Sequence, residues 1–145
     1  AVRIPRQGKL FTIRNANFIA NTAASDSGRV LGGALSVSGT VDGLITNPVF
    51  IGNGARGRSA DSAFGGAVYT EKPLTFSIDG KQNAVFSGNK ANGRLNDIHN
   101  LGALNVSGNL TLDGGISGNG TTTFARGSQL TVKTGTTTIS NRAQH

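Results

Sequence analysis

The chain contains no cysteine, methionine or tryptophan and a single tyrosine. Without cysteine there is no disulfide framework, no thiolate zinc site and no thiol nucleophile, so stability must come from packing and backbone pairing. Charged residues make up 14% of the chain, against about a quarter in an ordinary domain. Aromatics are 6%, which leaves Val, Ile, Leu, Ala and a few Phe to fill thin, regular layers. No apolar run approaches the roughly 20 residues that cross a bilayer as a helix. The opening AVRIPRQGKL has neither an initiator Met nor the apolar centre of a signal peptide, so the chain is expected to be a mature piece or a fragment. Helix patterns are scarce as well, because Gly interrupts every stretch with apolar residues at helical spacing.

What is present is 22 Gly among 145 residues, together with Thr, Ser and Asn as the carriers of polarity. Segments such as LTFSID, NLTLDGG and QLTVKTG alternate apolar and polar residues and stop at Gly, Asn or Asp, the pattern of short strands. The length suits one domain. A net charge of +7 attracts polyanions through its field. The 14 Lys and Arg are scattered, however, and the aromatic platforms on which nucleic-acid bases stack are few. Nucleic acid is therefore not an expected partner.

An internal repeat organises the chain. Phe18-Ile19-Ala20-Asn21 leads to Gly32-Gly33-Ala34-Leu35, Phe50-Ile51-Gly52-Asn53 leads to Gly65-Gly66-Ala67-Val68, and Phe86-Ser87-Gly88-Asn89 leads to Leu101-Gly102-Ala103-Leu104. The Phe positions step by 32 and then 36 residues, within the range of solenoids. Each copy offers three strands, and similar segments recur a full repeat apart. Each strand is thus expected to pair with its counterpart one repeat on, giving a parallel coil with three strands per coil. Identical side chains then lie about 4.8 Å apart. Phe18, Phe50 and Phe86 are predicted to form an internal column, and Asn21, Asn53, Asn89 and Asn119 an amide ladder, the last from a degraded copy at Ile116-Ser117-Gly118-Asn119. Asp42-Gly43, Asp79-Gly80 and Asp113-Gly114 read as recurring turns. The repeats occupy about 15–119, shorter coils 120–140, and a loose tail 141–145.

Paired Phe-x-x-Asn and Gly-Gly-Ala-aliphatic motifs resemble those of polymorphic outer membrane proteins and related autotransporter passengers, and the stretch NKANGRLNDIHNLGALNVSGNLTLDGGISGNG is similar in style to adhesin-type passengers. The resemblance implies a right-handed, single-stranded parallel β-helix, a β-solenoid. Such a segment would be exported through the outer membrane by a barrel elsewhere in the parent protein and displayed on the bacterial surface. It would act without catalysis in adhesion or self-association, its partner a host glycan or protein or another copy of itself. Lack of cysteine suits transit through an oxidising periplasm.

Candidate chemistry is sparse. A column of Asp42, Asp79 and Asp113 would suit a carbohydrate-active β-helix, which needs clustered carboxylates; turn duty explains the same residues. His99 and His145 show no relay spacing, and His99 reads as a turn or surface residue. Thr121–Thr123 and Thr136–Thr138 are explained by β-propensity. No cofactor or metal is expected. The remaining candidate is a basic ridge on the long corner after each Phe-x-x-Asn, formed by Arg29, Arg56, Arg58, Lys90 and Arg94, which would meet sulfated glycans, lipopolysaccharide or an acidic partner protein; splaying into solvent, or pairing with Asp26, Asp61 and Asp97 in the same corners, explains the same residues.

Overall fold

Short alternating segments punctuated by Gly, Asn and Asp can pair as strands but cannot sustain a helix. The computed structural model describes residues 2–4, 10–38, 42–59, 61–79, 84–133, 138–139 and 142–144 and contains, among these, strands and turns with no helix. Three main sheets are visited in rotation. The first contains Val2–Ile4, Leu35–Val37, Val68–Thr70, Ile98–Asn100, Gly115–Ser117 and Thr138–Ile139. The second contains Leu10–Arg14, Asp42–Thr46, Leu74–Ser77, Ala103–Ser107, Thr121–Phe124 and Arg142–Gln144. The third contains Asn17–Ile19, Val49–Ile51, Ala84–Ser87, Asn109–Leu112 and Gln129–Val132. All their pairings are parallel. Parallel strands in stacked sheets are compatible with a β-solenoid.

Register places like on like. Phe18 pairs with Phe50 and Phe50 with Phe86, and their rings stack at centroid distances of 4.6 and 4.9 Å, tilted by 4° and 13°. The interior is completed by Leu35, Val68, Ile98 and Ile116 from the first sheet and by Ile45, Phe76 and Val106 from the second, all buried. Burying one such Phe contributes about 2–3 kcal/mol. The Gly-Gly that precedes Ala34 and Ala67 has a steric cause. Gly32 and Gly65 sit at φ 76° and 72°, and a Cβ on Gly33 or Gly66 would run into the backbone carbonyl of Gly66 or Asn96 of the next copy.

The corner amides form the predicted ladder over three copies. The Asn53 side-chain carbonyl accepts from both the backbone N–H and Nδ2 of Asn21, each at 3.0 Å. Asn89 Oδ1 accepts likewise from Asn53, at 3.0 and 2.9 Å. Each Nδ2 also donates to the carbonyl of the Phe one copy back, Asn53 to Phe18 and Asn89 to Phe50, at 2.9 Å. A second ladder, which the Phe-x-x-Asn repeat does not announce, joins the second and third sheets. Asn47 Nδ2 donates to Asn15 Oδ1 at 3.0 Å, and Asn47 Oδ1 accepts from the Asp79 amide at 2.9 Å. Asn15 and Asn47 hold φ of 51° and 52°, a left-handed bend that Asn tolerates.

Several expectations are corrected. Val68 pairs with Ile98, so the third copy of the Gly-Gly-Ala strand is Asn96–Asn100, while Leu104 pairs with Leu74 on the second sheet. Ile116 pairs with Ile98, so it does not take the Phe place, and exposed Asn119 is not a rung of the ladder. The rung after Asn89 is Asp97, which replaces the buried Ala. The Asp-Gly pairs do not stack either. Asp42 opens a strand of the second sheet, Asp79 follows one, and Asp113 follows a strand of the third. Arg142–Gln144, expected to be loose, pairs beside Thr121–Thr123. Gly80, Thr136, Thr137, Asn141 and His145 lie outside the described residues.

Asp97 is fully buried. Its Oδ1 accepts from Asn89 Nδ2 at 2.8 Å, and its Oδ2 from the amides of Asp113 and Gly114 at 2.9 and 2.6 Å. Burial pushes its pKa above the ordinary 3.8, and the three donors pull it only part of the way back. Replacing Asp97 by Ala strips these donors of an acceptor and is expected to cost about 2 kcal/mol in urea unfolding near neutral pH. Because the folded pKa is raised, the native state binds the proton more tightly. Wild-type stability therefore gains on the variant as pH falls from that raised value toward 3.8. A deficit that shrinks on acidification would show that the hydrogen bonds outweigh burial.

Candidate functional site

After Asn21 and Asn53 the chain leaves the main stack and builds a ledge. Thr22–Ala24, Gly54–Arg56 and Lys90–Ala91 pair in parallel, and Val30–Leu31 pairs with Ala63–Phe64. The ledge has a small core of its own, in which Val30, Ala55 and Ala63 are buried against Ala23 and Ala91. Small residues let its strands lie close to the main sheets. In the third copy Arg94–Leu95 turns back antiparallel on Lys90–Ala91, through Asn92 and Gly93 at φ 47° and 79°, the Asn-Gly signature of a tight hairpin. The next copy, which lacks this excursion, passes directly from Asn109–Leu112 of the third sheet to Gly115–Ser117 of the first.

The five basic candidates are all exposed on this ledge, but they form no single ridge. Arg29 and Arg58 line one depression of about 430 Å³ with Ser27, Gly28, Ser59 and Ser62. Arg56 and Lys90 line another of about 260 Å³, floored by Gly52, Gly54, Gly88 and Gly93. Arg94 lines neither, because the hairpin turns it back toward Ala91. Asp97, three residues beyond Arg94, lies buried under the ladder rather than beside these cations.

A second constellation was not foreseen. On the outer face of the first sheet Tyr69 pairs with His99 and His99 with Ser117. The ledge folds over them. The Tyr69 and His99 rings stack at 5.7 Å, Phe64 of the ledge leans on His99 at 4.9 Å, and the Arg29 guanidinium lies 5.1 Å from the centre of the Phe64 ring. Tyr69 is 1% exposed, and its hydroxyl donates to Glu71 Oε1 at 2.6 Å. Burial, reinforced by that carboxylate, pushes the phenol up to about 12. His99 Nδ1 lies 2.8 Å from Ser117 Oγ, which also accepts from Asn96 Nδ2 at 3.1 Å. Burial, and then the charge of Arg29, lowers the imidazole pKa, so His99 is neutral at pH 7. A Ser–His contact is one element of nucleophilic chemistry. Yet among the described residues no carboxylate hydrogen-bonds this ring, and Glu71 is engaged by Tyr69.

The signal for this cluster was available. Val-Tyr-Thr and Ile-His-Asn carry the same alternation, and aligning them, rather than Gly-Ala-Leu at 102–104, puts Tyr69 beside His99. Asp42, Asp79 and Asp113 are not brought together. Among the described residues no three His, Asp or Glu side chains converge as metal ligands. Thr122 is buried within its strand, which leaves Thr121 and Thr123 as the outward members of that run.

Tyr69 is the only tyrosine, so the ultraviolet band of tyrosinate reports it alone. Its midpoint is expected near 12, with Glu71→Gln moving it down toward 10.0. The raised pKa also means that the stability Tyr69 contributes is intact below 10 and is lost as pH climbs through its folded value. A midpoint at 10 in the folded protein would contradict the burial of this hydroxyl under the ledge. No family model matches the chain, and no curated protein or solved structure matches it significantly.

Proposed function

We propose that the chain is a non-catalytic segment of a bacterial autotransporter passenger, wound as a right-handed, single-stranded parallel β-helix with three principal strands per coil. It serves as a rigid stalk for adhesion or self-association at the cell surface. The observation that carries this reading is that the Phe-x-x-Asn motif behind the resemblance is also the element whose side chains stack, Phe on Phe and Asn on Asn, from copy to copy. The right-handed winding follows from the strong preference of parallel crossovers for that hand.

Stacked strands give stiffness along the axis, since every copy is bonded to its neighbours through backbone ladders. The outward face of the second sheet supplies a regular surface, where Thr12, Leu44, Thr75, Asn105 and Thr123 stand in one register row. A row of hydroxyl and amide groups interrupted by Leu44 suits a second copy or a glycan better than a deep substrate. Display on the surface would depend on an outer-membrane barrel in the parent protein. The alternative is a fragment of a polysaccharide-binding or -cleaving β-helix; its cleaving form needs a column of carboxylates, and Asp42, Asp79 and Asp113 stand at three different places in the fold, so no observation favours cleavage.

Beads coated with the folded protein are expected to aggregate with one another or to adhere to a layer of epithelial cells, and heat-denatured protein to do neither. If the folded protein, with its β spectrum intact, supports neither behaviour, the attachment reading is wrong.

A further inference from the structure

The smaller depression of the ledge is floored by glycine backbone. The third residue of each Phe-x-x-Asn, Ala20, Gly52 or Gly88, holds a left-handed φ of 56°, 64° or 65°. Ala20 shows that this bend accepts a side chain. Glycine in the next two copies relieves the strain that a Cβ meets at such a φ, and it also leaves the space above the bend empty. A Cβ on Gly52 would meet nothing within 4 Å, and one on Gly88 would meet only the Gly52 backbone at 3.9 Å. What the two glycines leave open is the depression itself.

Its walls are cationic. Ala55 points inward, so Gly54 and Arg56 point outward, and Lys90, which pairs with Gly54, shares their face. Arg56 and Lys90 thus stand on neighbouring strands two positions apart, about 8 Å between Cα atoms from strand geometry. No acidic side chain lines the depression, the Thr22 hydroxyl adds a neutral polar group, and neither cation forms an ion pair with a described residue. Two unpaired cations over a bare backbone floor match a chain of anions spaced along a polymer better than a lone ion, because such a chain satisfies both charges while a sugar ring covers the glycines.

From this geometry we infer that the Gly52–Gly88 depression is a subsite for an anionic polysaccharide. Arg56 and Lys90 hold its carboxylate or sulfate groups, and the sugar lies on the glycine floor. This inference rests on the surface-attachment reading and gives it a ligand class. It singles out Arg56 and Lys90 among the five basic candidates, since Arg29 and Arg58 line the other depression and Arg94 lines neither.

The test measures binding of the whole chain to heparin as the sulfated probe, to hyaluronan as the carboxylated one, and to neutral dextran. Binding to one or both anionic probes, falling with salt, is expected, and dextran should not bind. Binding of hyaluronan, whose only anions are carboxylates, shows that carboxylate suffices; binding of heparin alone shows that sulfate, or the higher charge density it brings, is required. Arg56→Ala with Lys90→Ala should weaken binding about tenfold or more. Arg14→Ala with Arg126→Ala, which removes the same charge from exposed sites off the ledge, should change it by about twofold or less. Gly52→Ala with Gly88→Ala, for which Ala20 is the natural precedent, should weaken binding while the β spectrum is retained. Should that variant lose its fold, the two charge pairs decide alone. Equal loss from both charge pairs, no loss from either, or no binding of either polyanion by wild type overturns the subsite. If beads still aggregate or adhere while wild type binds neither polyanion, only the subsite falls. If polyanion binding follows the predicted pattern while the beads do neither, only the attachment reading falls.

Discussion

Every level of this structure depends on in-register stacking of equivalent side chains on parallel strands. A parallel ladder fixes which residue lies over which, and a one-residue slip would turn every inward side chain outward. Here the corners lock that choice. An Asn that bonds the next Asn, and reaches back to the carbonyl of a Phe in the preceding copy, can do so in one register only. The Phe column supplies the apolar energy, and the amide ladder supplies the specificity. Neither would suffice alone, since stacked rings tolerate sliding and an amide ladder buries little apolar area.

The same constraint explains where variation is allowed. Length changes are absorbed where the chain steps out to the ledge after Asn, because material placed there need not fit between stacked layers. In the third copy the excursion closes on itself as an Asn-Gly hairpin, and the corner that follows is re-formed by Asp97, a carboxylate in a position that two earlier copies fill with Ala. Its two oxygens bind the end of the Asn ladder on one side and the backbone of Asp113 and Gly114 on the other. A buried charge is costly, and here it joins copies that carry the ledge to copies that do not. The ledge also shields the outer face of the first sheet, which turns Tyr69 and His99 from surface residues into a packed, largely uncharged layer.

Much of this was legible in the residues. The Phe column, three rungs of the Asn ladder and the parallel pairing follow from a repeat whose spacing and side chains are both distinctive. The third Gly-Gly-Ala copy was misplaced because Gly-Ala-Leu at 102–104 resembles the motif in letters, whereas Asn-Asp-Ile at 96–98 resembles it in position. Only hydrogen bonding reveals that a buried Asp can stand for Ala. Asn119 was assigned to the ladder by a tetrapeptide match that ignored the shorter route of the later copies. The second ladder at Asn15 and Asn47 shares the 32-residue step of the first but has no aromatic partner to advertise it. The basic residues are equally spaced from their motifs, yet they diverge because loops outside the stack are not held to one register.

The central claim is the register itself, and the absence of native cysteine makes it directly measurable. Ile19 and Ile51 are outward-facing partners on adjacent strands, separated by the roughly 4.8 Å of a sheet, a distance that a disulfide spans. The variant Ile19→Cys with Ile51→Cys should cross-link rapidly under mild oxidation. Asn17→Cys with Ile51→Cys, displaced by two residues along the strand to about 8 Å, should stay reduced. Equal cross-linking of the two pairs, or preference for the displaced one, would contradict the stacked parallel arrangement.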